Sequence, residues 1–353
     1  MTSKERVRRA LRREKTDRVP THFNATGFVW DELKKRYGLS ENEQVLQRFQ
    51  IDTRDCNPGE VNGPKFEKKY INDTDFEVES SWGGTSRAVW SGKEYNGTMI
   101  ARPLDETEDI ADIEKKVRWP EPSWFDYSQV AKSVETHADK AILVGHWGPF
   151  QTCTSVIRDD QLYYVMAANP DFAKALFDRM HRFQMWHYEN IFKAGKGKID
   201  ILRTHDDYGT QISMLFSVDM WKEYFEENTK ELVDLAHRHG AFFWQHSCGC
   251  VRSIIPNLLA CGIDALEPIQ PVKGMSPEEL KEAYGGKVTF VGGIDTQQLL
   301  PFGSPEEVRK GVRRYVSCLG STNGYILYPS QAWESCVPIE NIEATYEMEL
   351  RYL

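Results

Sequence analysis

Ala241-Phe242-Phe243-Trp244-Gln245-His246-Ser247-Cys248-Gly249-Cys250 reads as a hydrophobic strand that ends abruptly in polar, metal-seeking side chains. Side chains alternate along an extended chain, so His246 and Cys248 project to the same side. Imidazole nitrogen and thiolate sulfur together suit zinc. A strand this apolar needs neighbours on both sides, and the sequence around it supplies them at a regular interval.

Upstream, residues 199–203 form a strand ending in His205-Asp206-Asp207, and residues 218–239 a helix stopped by Gly240. Farther back, 141–145 is a strand ending at His146-Trp147, followed by a helical region to about 192 in which Pro170 starts a new helix. Downstream, Val251, Ile254, Ile255, Leu258 and Leu259 recur at helical spacing. Strands at 263–267, 287–291 and 324–328 follow, with helices at 276–284, 305–319 and 340–351. Two strands near the amino terminus, 17–23 and 51–53, bring the count to eight, with a helix at 40–50 between them. Residues 65–98 break the rhythm with hairpin-like runs around Trp82-Gly83-Gly84 and Tyr95-Asn96-Gly97, and read as an insertion. Eight alternating strand-helix units predict a (β/α)8 TIM barrel, α/β in class, with residues 1–353 as a single domain. A doubly wound open sheet is the alternative, but no Gly-x-Gly-x-x-Gly follows an early strand.

At 353 residues with 40% hydrophobic and 27% charged side chains, the chain has ample material for a buried core. A net charge of -9 and a pI near 5.6 argue against nucleic-acid binding. No apolar run reaches membrane-spanning length. The basic amino terminus carries Glu5 and Glu14, and Thr2 with Glu5 forms a capping box that opens a helix rather than a transit peptide. Seven irregularly spaced cysteines fit reduced thiols and a cytoplasmic location better than a disulfide framework.

Barrel chemistry sits at the carboxyl ends of the strands. Here those ends carry Asn24, His146, Trp147, His205-Asp206-Asp207, Tyr208, Gln211, His246-Ser247-Cys248, Glu267, Asp295, Tyr328, Gln331 and Trp333. Packing alone does not call for so many ligand and acid-base groups, and this asymmetry predicts an enzyme. His246 and Cys248 are the metal pair, and Glu267, on the next strand, is placed to add an oxygen ligand. Cys336 is a further candidate thiolate in the loop after the last strand. Adjacent carboxylates raise each other's pKa, so Asp206 and Asp207, with His205, are candidates for proton transfer, although one of the two is expected to cap the next helix. Asn24, His146, Trp147, Tyr208, Gln211, Asp295, Tyr328, Gln331 and Trp333 are expected to touch substrate. Cys250, and Cys261 and Cys318 on helices, are expected to be structural.

From residue 140 onward the sequence resembles the uroporphyrinogen decarboxylase-like superfamily, in particular its corrinoid-dependent methyltransferase branch of methylcobamide:coenzyme M and O-demethylase methyltransferases. The matching stretches are HDDYGTQISML (205–215), HSCGCVRSIIPNLLACGIDALEPIQP (246–271), VTFVGGIDTQQLLPFGSPEEV (288–308), GYILYPSQ (324–331) and PIENIEATYE (338–347), with a weaker match over KERVRRALRREKTDRVP (4–20). The resemblance implies a TIM barrel with zinc at His246 and Cys248, moving a methyl group between a small substrate and the cobalt of a corrinoid. Related zinc methyltransferases often take another cysteine near the last strand, where this chain has Tyr328-Pro329-Ser330-Gln331 and only Cys336 downstream. The expected zinc ligands are therefore His246, Cys248 and Glu267, with the last position open or filled by Cys336. No carrier-type Asp-x-His-x-x-Gly motif is present, so the corrinoid is expected on a partner protein. The aromatic groups Trp147, Tyr208, Tyr328 and Trp333 suggest an aromatic methyl ether as substrate. The decarboxylase proper carries an Arg-Gln-Ala-Gly-Arg motif after its first strand. Asn24-Ala25-Thr26-Gly27 stands there instead, without the arginines that bind porphyrinogen carboxylates. A metal-assisted decarboxylase or lyase on the same barrel, and a degenerate non-catalytic barrel, are the alternatives.

Overall fold

β1 (Thr53–Asp55) opens a parallel sheet, and the chain leaves it at once for a separate antiparallel sheet of β2 (Lys69–Tyr70), β3 (Phe76–Glu79), β4 (Thr85–Trp90) and β5 (Tyr95–Ala101). It then returns with β6 (Ala141–Val144), β7 (Ile201–His205), β8 (Phe242–His246), β9 (Ala265–Glu267), β10 (Thr289–Val291) and β11 (Tyr325–Ile326), each beside the last and all parallel. The computed structural model describes residues 1–352. Residues 20–23 close the ring. On one side the Leu327 amide donates to the Pro20 carbonyl (2.8 Å) and the His22 amide to the Leu327 carbonyl (3.0 Å), and on the other the Asp52 amide donates to Thr21 (3.1 Å). The expected eight-stranded barrel and its insertion are both present, the insertion as a four-stranded sheet.

Alternation along the strands divides the side chains between two cores. Leu143, Ile201, Trp244, Ala265, Val291, Ile326 and Tyr328 face into the barrel, whereas their neighbours Val144, Leu202, Phe243, Leu266 and Phe290 pack against the surrounding helices. The first helix, Ser3–Leu11, capped by Thr2 as expected, closes the amino-terminal end of the barrel with Val7, Ala10 and Leu11. Polar contacts fix it there: Lys4 and Arg8 pair with buried Asp200 (2.9 and 2.8 Å), and the Thr289 hydroxyl donates to the Ala10 carbonyl (2.8 Å). Fully buried Asp52 accepts from both Arg6 (2.6 Å) and Arg18 (2.7 Å), joining this helix to the first two barrel segments.

Two differences from the sequence reading are local. Gly27–Tyr37 is a helix that periodicity did not single out, because only Val29 and Leu33 are buried along it. The expected helix at 340–351 stops at Thr345 and resumes as a short turn, Met348–Arg351, where the Tyr346 hydroxyl donates to the His22 carbonyl (2.7 Å). No helix among the described residues is long and apolar enough to cross a membrane.

Candidate metal centre and mouth cavity

In-register pairing of β7, β8 and β9 sets His205, His246 and Glu267 at one height across three adjacent strands, at the carboxyl end of the barrel. The two imidazoles lie with ring centroids 3.8 Å apart. Just beyond β8 the chain must turn, and Gly249 makes the turn at φ +81, where a Cβ would meet the backbone of Gly209 at 2.5 Å. This close approach of two loops locks Cys248 over His246: the Cys248 amide donates to Asp207 Oδ1 (2.8 Å), and its sulfur lies 3.3 Å from His246 Nε2. Asp207 Oδ1 is 3.5 Å from the same nitrogen, and Asp207 Oδ2 is 3.4 Å from His205 Nε2. The ligand atoms of His205, Asp207 and His246 all lie within 4.8 Å of one another.

Those spacings are longer than direct hydrogen bonds of about 2.8 Å between such groups. They match the ligand separations of about 3.3–3.6 Å that follow from tetrahedral zinc bonds of about 2.0–2.3 Å. The ligand atoms of His205, Asp207 and His246 therefore fit a metal ion, and the Cys248 sulfur lies beside His246 Nε2, outside that three-residue group. Glu267 is beside the cluster but at the wrong nitrogen. Its Oε1 faces His246 Nδ1 (3.5 Å), out of reach of an ion on Nε2. The expectation that Glu267 is a ligand is corrected accordingly: it is placed as the carboxylate that orients a metal-binding imidazole. Behind it, buried Arg203 lies 3.4 Å away. Cys336 is exposed, with Glu334, Glu94 and Lys93 as charged neighbours, and is not brought into the cluster. Gln331, from the stretch after the last strand, sets its side-chain amide 2.6 Å from the Cys248 sulfur.

Burial pushes the Glu267 carboxyl up, but Arg203 and then His246 outweigh it and hold the group well below the carboxylate range. Burial lowers the His246 pKa, yet Glu267, Asp207 and Cys248 reverse this and raise it well above its ordinary value in the metal-free ring. Burial raises the Asp207 carboxyl, but the two imidazoles beside it outweigh this and hold it low. Burial raises the Cys248 thiol, with His246 opposing.

Asp206 behaves oppositely to its neighbour. It turns away from the mouth, accepts from the Gln151 amide (2.7 Å) and the Tyr208 hydroxyl (3.0 Å), and so caps the short helix Pro149–Cys153. Burial raises its pKa to about 7. Asp206 is thus the helix cap of the pair rather than an acid-base group at the mouth. Three expected substrate contacts are core residues: Tyr208, Tyr328 and Trp333 are buried, the last donating to the Tyr346 hydroxyl (3.2 Å). Asp295 caps its own turn through the Gln297 amide (2.8 Å), Gln211 is exposed in the loop after β7, and Asn24 accepts through its carbonyl from the Trp333 amide (2.9 Å).

His146 and Trp147 do line a cavity. It has a volume of about 160 Å³ and opens beside the cluster, with the His146 and His205 rings 5.2 Å apart. Phe125 and His187 extend its aromatic wall, and Asn57 and Glu60 stand at its polar side. All four were left out of the expected site: Asn57 stands just past the end of β1, whereas Glu60, Phe125 and His187 come from loops and a long helix where no strand-end rule applies.

Residues 90–350 match the uroporphyrinogen decarboxylase (URO-D) family. The structure is similar over 98% of this chain, and 97% of the other, to a methyltransferase from Methanosarcina mazei, with a TM-score of 0.68 and 18% sequence identity. A weaker likeness, TM-score 0.35 at 10% identity over 58% of this chain and 66% of the other, is to Xanthomonas albilineans dihydropteroate synthase. No curated protein matches the sequence.

Proposed function

The chain belongs to the uroporphyrinogen decarboxylase family, and on that footing we propose that it is a methyltransferase, moving a methyl group between a small substrate and the cobalt of a corrinoid held by a partner protein. The observation that carries this reading is the Cys248 sulfur set against His246 Nε2 at the strand ends, beside a cavity large enough for a small group. His246 and Cys248, with Asp207 and His205, would hold zinc. When bound, zinc would supply Lewis acidity to a thiol acceptor or to the heteroatom bearing the methyl group. Glu267, with Arg203 behind it, sets a negative charge against the Nδ1 side of His246. Asp207, kept ionised, accepts hydrogen bonds and gives up no proton.

The decarboxylation that names the family is a poorer fit. A substrate bearing several carboxylates needs cationic partners, yet Asn24 to Gly27 includes none, and no lysine or arginine lines the cavity. A lyase using Asp206 is disfavoured because that carboxyl is committed to Gln151 and Tyr208.

The test is to incubate the protein with reduced corrinoid carrier proteins and a panel of O-, N- and S-methyl donors and thiol acceptors, reading corrinoid absorbance. Methylation or demethylation of the corrinoid with one member of the panel, lost on Cys248→Ser, is the expected result. No change with any donor or acceptor would overturn the reading.

A further inference from the structure

We propose that the cavity beside the metal cluster binds a small methylated ammonium group. Its wall is a continuous aromatic surface: Phe125 and His187 lie 4.5 Å apart by ring centroid, and His187 and Trp147 5.0 Å. Such faces attract a cation whose charge is spread over methyl groups. No cationic side chain lines the cavity, and burial lowers the His187 pKa to about 3, so that ring adds no positive charge at neutral pH.

The polar side is acidic. Asn57 is committed on both sides of its amide, accepting from the Gly145 nitrogen (2.7 Å) and donating to the Gly145 carbonyl (3.3 Å). Glu60 remains, its carboxylate free of hydrogen bonds and ion pairs among the described residues. An aromatic ether would stack on the same wall but would gain nothing from that exposed carboxylate, which attracts a cation. A methylated cation satisfies both sides at once. Of the aromatic groups that suggested an ether, only Trp147 reaches the cavity. A quaternary ammonium nitrogen has no lone pair, so the cavity would recognise such a donor as a cation, and zinc's Lewis acidity would then serve the thiol acceptor alone.

The inference deepens the methyl-transfer reading and rests on it only for the ligand's role as methyl donor. Tetramethylammonium chloride is titrated into the full chain at constant ionic strength, reading tryptophan fluorescence and calorimetry, with neopentyl alcohol as an uncharged near-isostere and anisole as a neutral ether. Saturable binding of the cation, about tenfold tighter than either neutral probe, is expected. Glu60→Gln, at an exposed position, and Phe125→Leu should each weaken it several-fold. Equal or tighter binding of anisole or neopentyl alcohol, no saturation by the cation, or indifference to both substitutions overturns the proposal. No corrinoid is present in this titration. Intact cation binding with failed methyl transfer therefore counts against the function, and the converse against this site.

Discussion

Replacing Glu267 by glutamine removes one charge from a pair that is almost wholly enclosed: Glu267 is 1% exposed and Arg203 6%. At their separation of 3.4 Å, and with an effective dielectric of about 20, the direct attraction is about 5 kcal/mol. Breaking a buried pair by neutralising one partner typically costs about 3–5 kcal/mol, because the other charge is left uncompensated. For a chain of this length that is a fall in melting temperature of about 4–7 °C. A second effect is separable. Glutamine still fills the space behind His246 but no longer sets a negative charge against its Nδ1 side, so zinc affinity should fall about 10–100-fold, not vanish. Thermal melts and competition with a chromophoric chelator measure the two effects. Adding Arg203→Met to Glu267→Gln should recover much of the stability and none of the metal affinity. If Glu267→Gln abolishes metal binding while Cys248→Ser retains it, Glu267 is a ligand and the assignment of His246 Nε2 to the metal is wrong.

Cys248→Ser should remove most bound zinc, whereas Cys336→Ser, at an exposed site outside the cluster, should leave the metal content unchanged; elemental analysis of the two purified variants decides. Asp206 should make stability pH-dependent. Its carboxyl is raised from an ordinary 3.8 to about 7, so between those values the folded chain holds a proton that the unfolded chain has released. Its contribution is intact below about pH 4 and is lost as pH rises to about 7, a change on the order of 4 kcal/mol. Asp206→Asn, which mimics the protonated form, should flatten that part of the denaturant-derived stability profile; an unchanged slope would refute the burial argument.

Strand alternation set His246 at the mouth, but Cys248 lies past the strand end, and it is the turn at Gly249 and the Asp207 carboxylate that bring its sulfur to His246. Alternation also set Glu267 next to them. It does not say which imidazole nitrogen meets which partner, and on that detail Glu267 passes from ligand to supporting carboxylate. Asp206 and Asp207 are indistinguishable in a string of letters, yet as neighbours at a strand end they diverge, one under a helix and one between two histidines. Arg203 was visible as a charge two residues before His205 on the same face, the signal by which its inward placement was available. The aromatic wall was not legible: Phe125 and His187 are 62 positions apart in an order that carries no periodic signature, and only the packed fold makes them neighbours.

Because the first helix seals the floor of the barrel with Val7, Ala10 and Leu11, the candidate site is reached from the carboxyl end of the strands. Under the proposed reaction, the methyl donor and the carrier protein must both use that end, and the larger visitor shuts the smaller one in or out. Such a layout imposes a queue. Donor enters first, the carrier then covers it, and the demethylated product leaves only after the carrier has lifted away. Initial rates should accordingly show a compulsory order of addition, with excess carrier slowing turnover by occupying the threshold before the donor has passed.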